Sequence, residues 1–372
     1  MRSDVIVVGG GMVGAAIAYG LSRSGAKVRI IDEGDMAFRA ARGNFGLTWV
    51  QTKGFGVQPY FELSRGSVDG WRALADELTE RTGIDVDFER NGGLRICIGD
   101  KEAEERISYI ERFRQQAGNA GYDCRFIDRG ELQQLFPNAP LGPRVTGASF
   151  SPMDGHANPL YLLRSLIEGI RRNGGEISPG QTVGQIRPLS QGFEVVTGSG
   201  TYSSDKIVLA AGLGTQKLGQ MVGLNVPIRP QRGQVLVTER THSLLPYPMS
   251  GLRQTAEGSI MVGVTNEEVG YDTTTSVGGI RKMAARAIET FPVVGELQLL
   301  RAWAALRILT PDGVPIYAES KVHPGAYAAT CHSGVTLAAM HARLLPQWVL
   351  TGVQPAELAY FTPERFDAQP KA

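Results

Sequence analysis

Val5-Ile6-Val7-Val8-Gly9-Gly10-Gly11-Met12-Val13-Gly14 decides the fold. Four consecutive β-branched residues read as a strand buried on both faces, and they run straight into a GxGxxG turn. Ala15-Ala16-Ile17-Ala18-Tyr19-Gly20-Leu21 keeps small and apolar residues at helical spacing, Ser24-Gly25 stops the helix, and Lys27 to Ile31 makes a second strand. The unit is β-α-β. Gly9 permits the tight turn, Gly11 lets backbone approach a pyrophosphate, and Gly14 lets helix and strand pack closely. Unpaired N–H groups at the helix start then face the phosphate. Asp32 closes the second strand, where a carboxylate can accept hydrogen bonds from ribose hydroxyls. Because all these parts arrive in order, the stretch reads as a dinucleotide site rather than as a glycine-rich turn that binds nothing. A 2′-phosphorylated adenine nucleotide does not suit Asp32 and Glu33, whose charge would repel it.

Outward from this unit, 372 residues suggest about two domains. Hydrophobic content of 42%, charged content of 20% and a net charge of +1 offer no electrostatic reason to expect nucleic acid or an anionic membrane. Cys97, Cys124 and Cys331 are widely separated and form no CxxC, so no zinc or iron–sulfur site is expected from them. They fit a reducing, cytoplasmic setting. Only four residues precede the first strand, so no leader peptide is expected. The apolar stretch from Tyr327 to Val353 is interrupted by His332, His341, Arg343 and Pro346 and does not read as a membrane span.

From Glu33 to Gln51 the chain is polar and glycine-spaced, with Arg39, Arg42, Gly43, Asn44 and Gly46. Such a loop either covers the pyrophosphate with arginine and backbone donors or is an ordinary surface loop. A helix is expected over 64–82, then strand character over 85–98 with a turn at Asn91-Gly92-Gly93, a charged helix over 101–117, and a short strand and helix up to Phe136. These pieces read as an inserted second domain, after which β-α-β character resumes with a strand over 147–150 and a helix over 159–172. Lys206 to Ala211 is another buried strand, running into Gly212. Strands recur over 228–238, 259–264, 298–305 and 326–330, with helices over 277–291 and 335–350.

Four features occur together in one order: the opening unit, Ala210-Ala211-Gly212, Pro230-Gln231-Arg232-Gly233-Gln234, and Trp303-Ala304-Ala305-Leu306-Arg307 followed by Thr310-Pro311-Asp312-Gly313. Together they resemble the flavoenzyme family of D-amino-acid oxidase, glycine oxidase and sarcosine oxidase, over nearly the whole chain. Asp32-Glu33-Gly34, the stretch from Arg39 to Trp49, and Arg253-Gln254-Thr255 look most like the flavin-bearing B subunits of opine oxidases, hydrogen cyanide synthase and proline or hydroxyproline dehydrogenases.

The resemblance implies an α/β fold: a Rossmann-type FAD-binding domain of discontinuous segments (1–84, 145–222 and 306–372) and an α+β substrate domain with an antiparallel sheet (85–144 and 223–305). It implies FAD held by Gly9, Gly11, Met12, Val13, Gly14, Asp32, Glu33, Arg39, Arg42, Gly43, Asn44, Gly46, Leu47, Val183, Ala211, Gly212, Arg307, Ser333, Gly334, Val335 and Thr336. It further implies oxidation of the C–N bond of an amino acid or opine, with a larger flavoprotein A subunit and a small iron–sulfur subunit as partners, cytoplasmic or held at the inner membrane through those partners. Glycine, sarcosine or a proline derivative is the alternative substrate, and a flavin-binding scaffold without chemistry of its own is the alternative role.

A substrate carboxylate wants a planar, permanently charged cation. Arg307 occupies the position of the carboxylate-binding arginine in the glycine-oxidase-like Trp-Ala-Gly-Leu-Arg-Pro motif, with Ala305 for its glycine and Ile308 for its proline. The other reading of Arg307 is a salt bridge to Asp312. Arg253 is a second carboxylate candidate or a solvated strand-end charge. His332, at the junction before the final helix, is either functional or a satisfied structural histidine. The N–H groups of Ser333 to Thr336 would stabilise negative charge at the flavin pyrimidine. Cys331 reads as an inert buried thiol rather than a flavin attachment point. Trp49, Tyr271 and Trp303 are possible pocket walls, and His156 is expected to cap or pack. No metal is expected.

Overall fold

In the computed structural model, which describes residues 2–34 and 40–367, β1 (Arg2–Val8) is the middle of a parallel sheet. Its neighbours are β2 (Val28–Ile31) on one side and Gly200–Leu209 on the other, all in parallel register. Glu176–Ser178 extends the sheet beyond β2, and Ala326–Thr330 extends it beyond Gly200–Leu209. Ile316–Glu319 closes that edge antiparallel, and the meander Val183–Pro188, Phe193–Thr197 turns back from Gly200–Leu209. Helix α1 (Met12–Arg23), between β1 and β2, is buried along almost its whole length. Such all-round burial is what a small-residue helix in the middle of an α/β layer shows.

A second body is antiparallel. Arg229–Arg240 pairs with Ser259–Gly263 and with Leu299–Leu309, and Leu252–Gln254 adds an edge. A three-stranded sheet of Gly93–Ile98, Val145–Ser151 and Arg125–Asp128 packs against it through one core that includes Leu94, Ile127, Phe136, Leu236, Met249 and Phe291. The chain is thus a Rossmann-type domain of discontinuous segments joined to an antiparallel α+β body.

Four expectations are corrected by the structure, two by strand pairing and two by where helices break. The strand at 147–150 does not resume the β-α-β pattern: Val145–Ser151 lies antiparallel between Gly93–Ile98 and Arg125–Asp128, so the boundary placed at 145 cuts through the second body. Likewise the boundary at 306 divides one strand, since Leu306 to Leu309 pair with Arg232 to Arg229. The helix expected over 335–350 is two pieces, Ala338–His341 and Leu344–Thr351. Pro346 has no N–H to give the carbonyl of Ala342, four residues earlier. That carbonyl instead accepts from Arg23 Nη2 at 3.2 Å, and Gly20 makes room for it, since a Cβ there would strike it. The helix expected over 64–82 is likewise two, Gln58–Asp69 and Trp71–Thr82, meeting at Gly70.

Candidate active site

The glycine turn is shaped by what a Cβ would hit. Gly9 has φ +105°, and a Cβ on it would meet the carbonyl of Ala210, while one on Gly14 would meet the carbonyl of Gly9. Before Gly11 there is open space, its nearest neighbour being the Ala41 methyl at 3.9 Å. Helix α1 starts at Met12 with no side-chain cap and no acid in its first turn, so the N–H groups of Met12 and Val13 stay available at its positive end. Asp32 accepts from Gly10 N at 2.7 Å and Gly34 N at 2.8 Å, which ties the second strand end to the turn and leaves lone pairs for a ribose. Ala211 and Gly212 stand beside Gly9 because Ala210 N donates to Val8 O at 2.8 Å. Val183 opens its strand two residues after Gln181, whose N–H donates to the Asp32 carbonyl at 2.9 Å. This arrangement fits a dinucleotide diphosphate: an uncapped helix end, a glycine with open space before it, and two glycines whose replacement would close the turn. Glu33 is exposed on the same strand end, and Arg39 lies outside the described residues.

A cavity of about 270 Å³ lies where four parts of the chain converge. Gly43, Asn44, Leu47, Trp49 and Lys53 come from the loop after β2, Gly233 and Arg307 from the antiparallel sheet, Ser250 and Val264 from its edge, and His332, Ser333, Val335 and Thr336 from the C-terminal loop. The polar loop is shaped by an Asx turn, Asn44 Oδ1 accepting from Gly46 N at 2.7 Å. Gly46 itself has φ +88° and lies against the carbonyl of Ala157. Arg42 is exposed and does not line the cavity. A larger hollow of about 390 Å³, between Gln58–Asp69 and the turn at 356–361, is lined by none of the expected residues.

The C-terminal loop is held from behind. Ser67 Oγ donates to Thr336 O at 2.8 Å, Trp71 Nε1 donates to the carbonyls of Val335 and Thr336 at 3.1 Å, and Tyr60 bonds Ser333 Oγ at 2.8 Å. Thr336 Oγ1 accepts from Trp49 N at 3.1 Å and so ties this loop to the first. With its carbonyls engaged, the loop keeps the N–H groups of Gly334, Val335 and Thr336 without an acceptor among the described residues. Such donors suit the electron-rich edge of a reduced ring. The helix that follows is a single turn, so these loop amides rather than a long helix dipole supply the field.

Arg307 is half-buried, and its guanidinium lies across Gly233, where a Cβ would strike it. Nη1 donates to Asn266 Oδ1 at 2.9 Å and Gln231 Oε1 at 3.2 Å. Asp312 is not its partner: that carboxylate takes Arg365 Nε at 2.8 Å. Burial lowers the Arg307 guanidinium from its ordinary value. His332 is exposed on the cavity, and desolvation there, with Lys53 and Arg307 adding to it, pushes its imidazole down to about 3. It is neutral at working pH. Cys331 is buried with its thiol pushed up to about 12 by burial, as an inert thiol should be.

Arg253 is elsewhere. It is 3% exposed, donating to Phe45 O at 2.8 Å and to His156 Nδ1 at 2.9 Å, with Nη2 3.3 Å from Met261 Sδ. It does not line the cavity, so the carboxylate role expected of it does not match its position; it braces the wall that Phe45 forms. His156, pushed down to about 3 by burial and by Arg253, packs as expected. Trp49 lines the cavity, whereas Trp303 does not and Tyr271 is 69% exposed. Lys53, which sequence reasoning missed, lines it too. A lysine in Gln51-Thr52-Lys53-Gly54 reads as a solvated loop charge, and the adjacent Trp49 is the one local hint.

Comparison with known proteins agrees with this geometry. Residues 4–348 match the family described as FAD dependent oxidoreductase, and the chain belongs to that family. It is 38% identical to the B subunit of opine oxidase from Agrobacterium tumefaciens (strain Ach5), over 98% of each chain. It is 27% identical to glycine oxidase of Geobacillus kaustophilus (strain HTA426), over 99% of this chain and 96% of the relative. The crystal structure of glycine oxidase from Geobacillus kaustophilus superposes with a TM-score of 0.89 at 26% identity, covering 97% of this chain and 98% of that one. FAD is therefore the cofactor, and the chain is an oxidoreductase related to enzymes of amino acids and opines. No helix among the described residues is long and apolar enough to cross a membrane.

Proposed function

We propose that the chain oxidises the C–N bond of an opine, a secondary amine joining an amino-acid nitrogen to a carboxyalkyl carbon, and that it does so as the B subunit of a heteromeric dehydrogenase. The observation that carries this is Arg307, seated over Gly233 in the same cavity as the amides of the 332–336 loop. Bound FAD supplies the acceptor for a hydride equivalent from the carbon beside the nitrogen. On this reading the glycine turn, Asp32, Ala211 and Gly212 hold its nucleotide part, and Gly43 to Leu47 with Ser333 to Thr336 hold its ring. Arg307 binds the substrate carboxylate through Nη2 and Nε, which have no partner among the described residues. Positive charge and burial together favour the neutral amine, whose lone pair must form the imine. His332 stays neutral and serves as a hydrogen-bond partner rather than a proton store. Water then splits the released imine into a keto acid and an amino acid.

The division that suits the sheets assigns 1–84, 152–222 and 310–367 to the FAD domain and 85–151 with 223–309 to the substrate domain. A larger flavoprotein subunit and a small iron–sulfur subunit would receive the electrons, in a cytoplasmic complex. The likeness to a glycine oxidase at a TM-score of 0.89 keeps glycine or sarcosine as a second reading. Anaerobic mixing with a panel of opines, glycine, sarcosine and proline derivatives decides between them. Bleaching of the flavin band by opines is the expected result. Bleaching by glycine or sarcosine alone removes the opine reading, and bleaching by nothing leaves the chain a flavin-binding scaffold.

A further inference from the structure

Among the described residues the cavity carries two cations and no acid. Lys53 and Arg307 are the charged side chains among its described lining residues, and no Asp or Glu joins them. They arrive from different elements, Arg307 from the long strand Leu299–Leu309 and Lys53 from the turn after Trp49. That turn is firmly set. Lys53 N donates to Val50 O at 2.9 Å, and the N–H groups of Val50 and Gln51 with Gln51 Nε2 converge on the buried Asp154 carboxylate. Gln51 Oε1 in turn accepts from Arg106 Nη2 at 2.6 Å and Ser149 Oγ at 2.7 Å.

A cation placed this way and left alone is costly. The Lys53 ammonium makes no hydrogen bond or ion pair among the described residues, and burial lowers it to about 8, with Cys331 and Asp154 opposing the shift and Arg307 adding to it. Keeping a charge there makes physical sense when a ligand brings the missing counter-charge. We infer that Lys53 binds a second carboxylate of the substrate, besides the one on Arg307, so that the site selects amines flanked by two carboxylates over monocarboxylic amino acids. The assignment rests on the reading of Arg307 as the first carboxylate site.

The test uses the flavin-loaded protein with thiodiacetate and (methylthio)acetate, thioethers that carry two carboxylates and one, and that lack a C–N bond to oxidise. Titration calorimetry gives each Kd. Wild type should prefer thiodiacetate by about tenfold or more, the worth of one charge-assisted hydrogen bond. Lys53→Gln should lose most of that preference, Lys53→Arg should keep it, and Arg307→Ala should weaken both ligands. Equal affinities in wild type, or an unchanged preference in Lys53→Gln, overturn the Lys53 assignment alone. Binding of neither ligand by the yellow wild-type protein overturns the carboxylate reading of the cavity and the assignment with it.

The wild-type protein also tests the idea without a variant. Of the groups around Lys53, Asp154 is pushed up by burial only to about 7, Cys331 stays a thiol to about 12, His332 is neutral and Arg307 is a guanidinium. As pH rises through about 8 the protonated lysine is lost, so the preference for thiodiacetate should fade. A preference that persists undiminished to pH ~10, where an ordinary lysine begins to lose its proton, overturns the proposal.

Discussion

The two ends of the cofactor groove are built on opposite plans. The glycine turn comes from consecutive residues, and its working groups are backbone N–H donors around Gly11 and the start of α1. The cavity comes from segments as far apart as Gly43 and Thr336, and its working groups are side chains and loop amides. The difference teaches where each end can vary. The turn admits no added atom at Gly9 or Gly14 yet makes no demand on side-chain chemistry, whereas the cavity can change its ligand by changing one side chain.

Gly14→Ala should break the contrast most severely. The new Cβ would strike the Gly9 carbonyl, a clash with backbone that no rotamer relieves. The protein should purify colourless, with a lower Tm; full flavin absorbance would show that the turn is looser than the packing implies. Arg307→Ala should strike the other end alone. It should raise KM by about a hundredfold, for a lost charged hydrogen-bond pair of roughly 2–3 kcal/mol, while the flavin spectrum and Tm stay near wild type. A KM close to wild type would move the carboxylate site elsewhere.

Arg253→Met should have the smallest kinetic effect. Arg253 braces Phe45 from behind the wall, so its loss should lower stability by about 1–3 kcal/mol, the cost of leaving a buried acceptor unpaired. KM should rise by no more than about threefold, far less than for Arg307→Ala. Thermal melts and steady-state kinetics on the same preparation would separate the two, and an effect on KM equal to that of Arg307→Ala would restore Arg253 as a ligand.

Legibility followed the same division. The opening β-α-β unit, the helices over 101–117, 159–172 and 277–291, and the parallel strands were readable because each depends on local periodicity and glycine chemistry. The strand Val145–Ser151 was readable as a strand, but its partners were not, since alternation says nothing of which sheet receives it. Arg253 and Lys53 show the limit most sharply. One is an arginine in a short strand, the other a lysine in a polar loop, and sequence offers the same solvated reading for both. Only the fold puts Arg253 against the Phe45 carbonyl and Lys53 at the cavity.

By itself, the amino-acid sequence determined the dinucleotide turn, the interruption of the chain by a second body, and the candidacy of Arg307. Those features rest on interactions between near neighbours or on motifs that keep their order. Tertiary structure alone decided which strands pair in each sheet, that Asp312 takes Arg365 and frees Arg307, that Pro346 splits the last helix around the Ala342 carbonyl, and that Lys53 and Arg307 meet in one cavity with no acid among its described lining residues. Burial and pairing belong to groups distant in sequence, and a residue's charge environment exists only once those groups have been brought together.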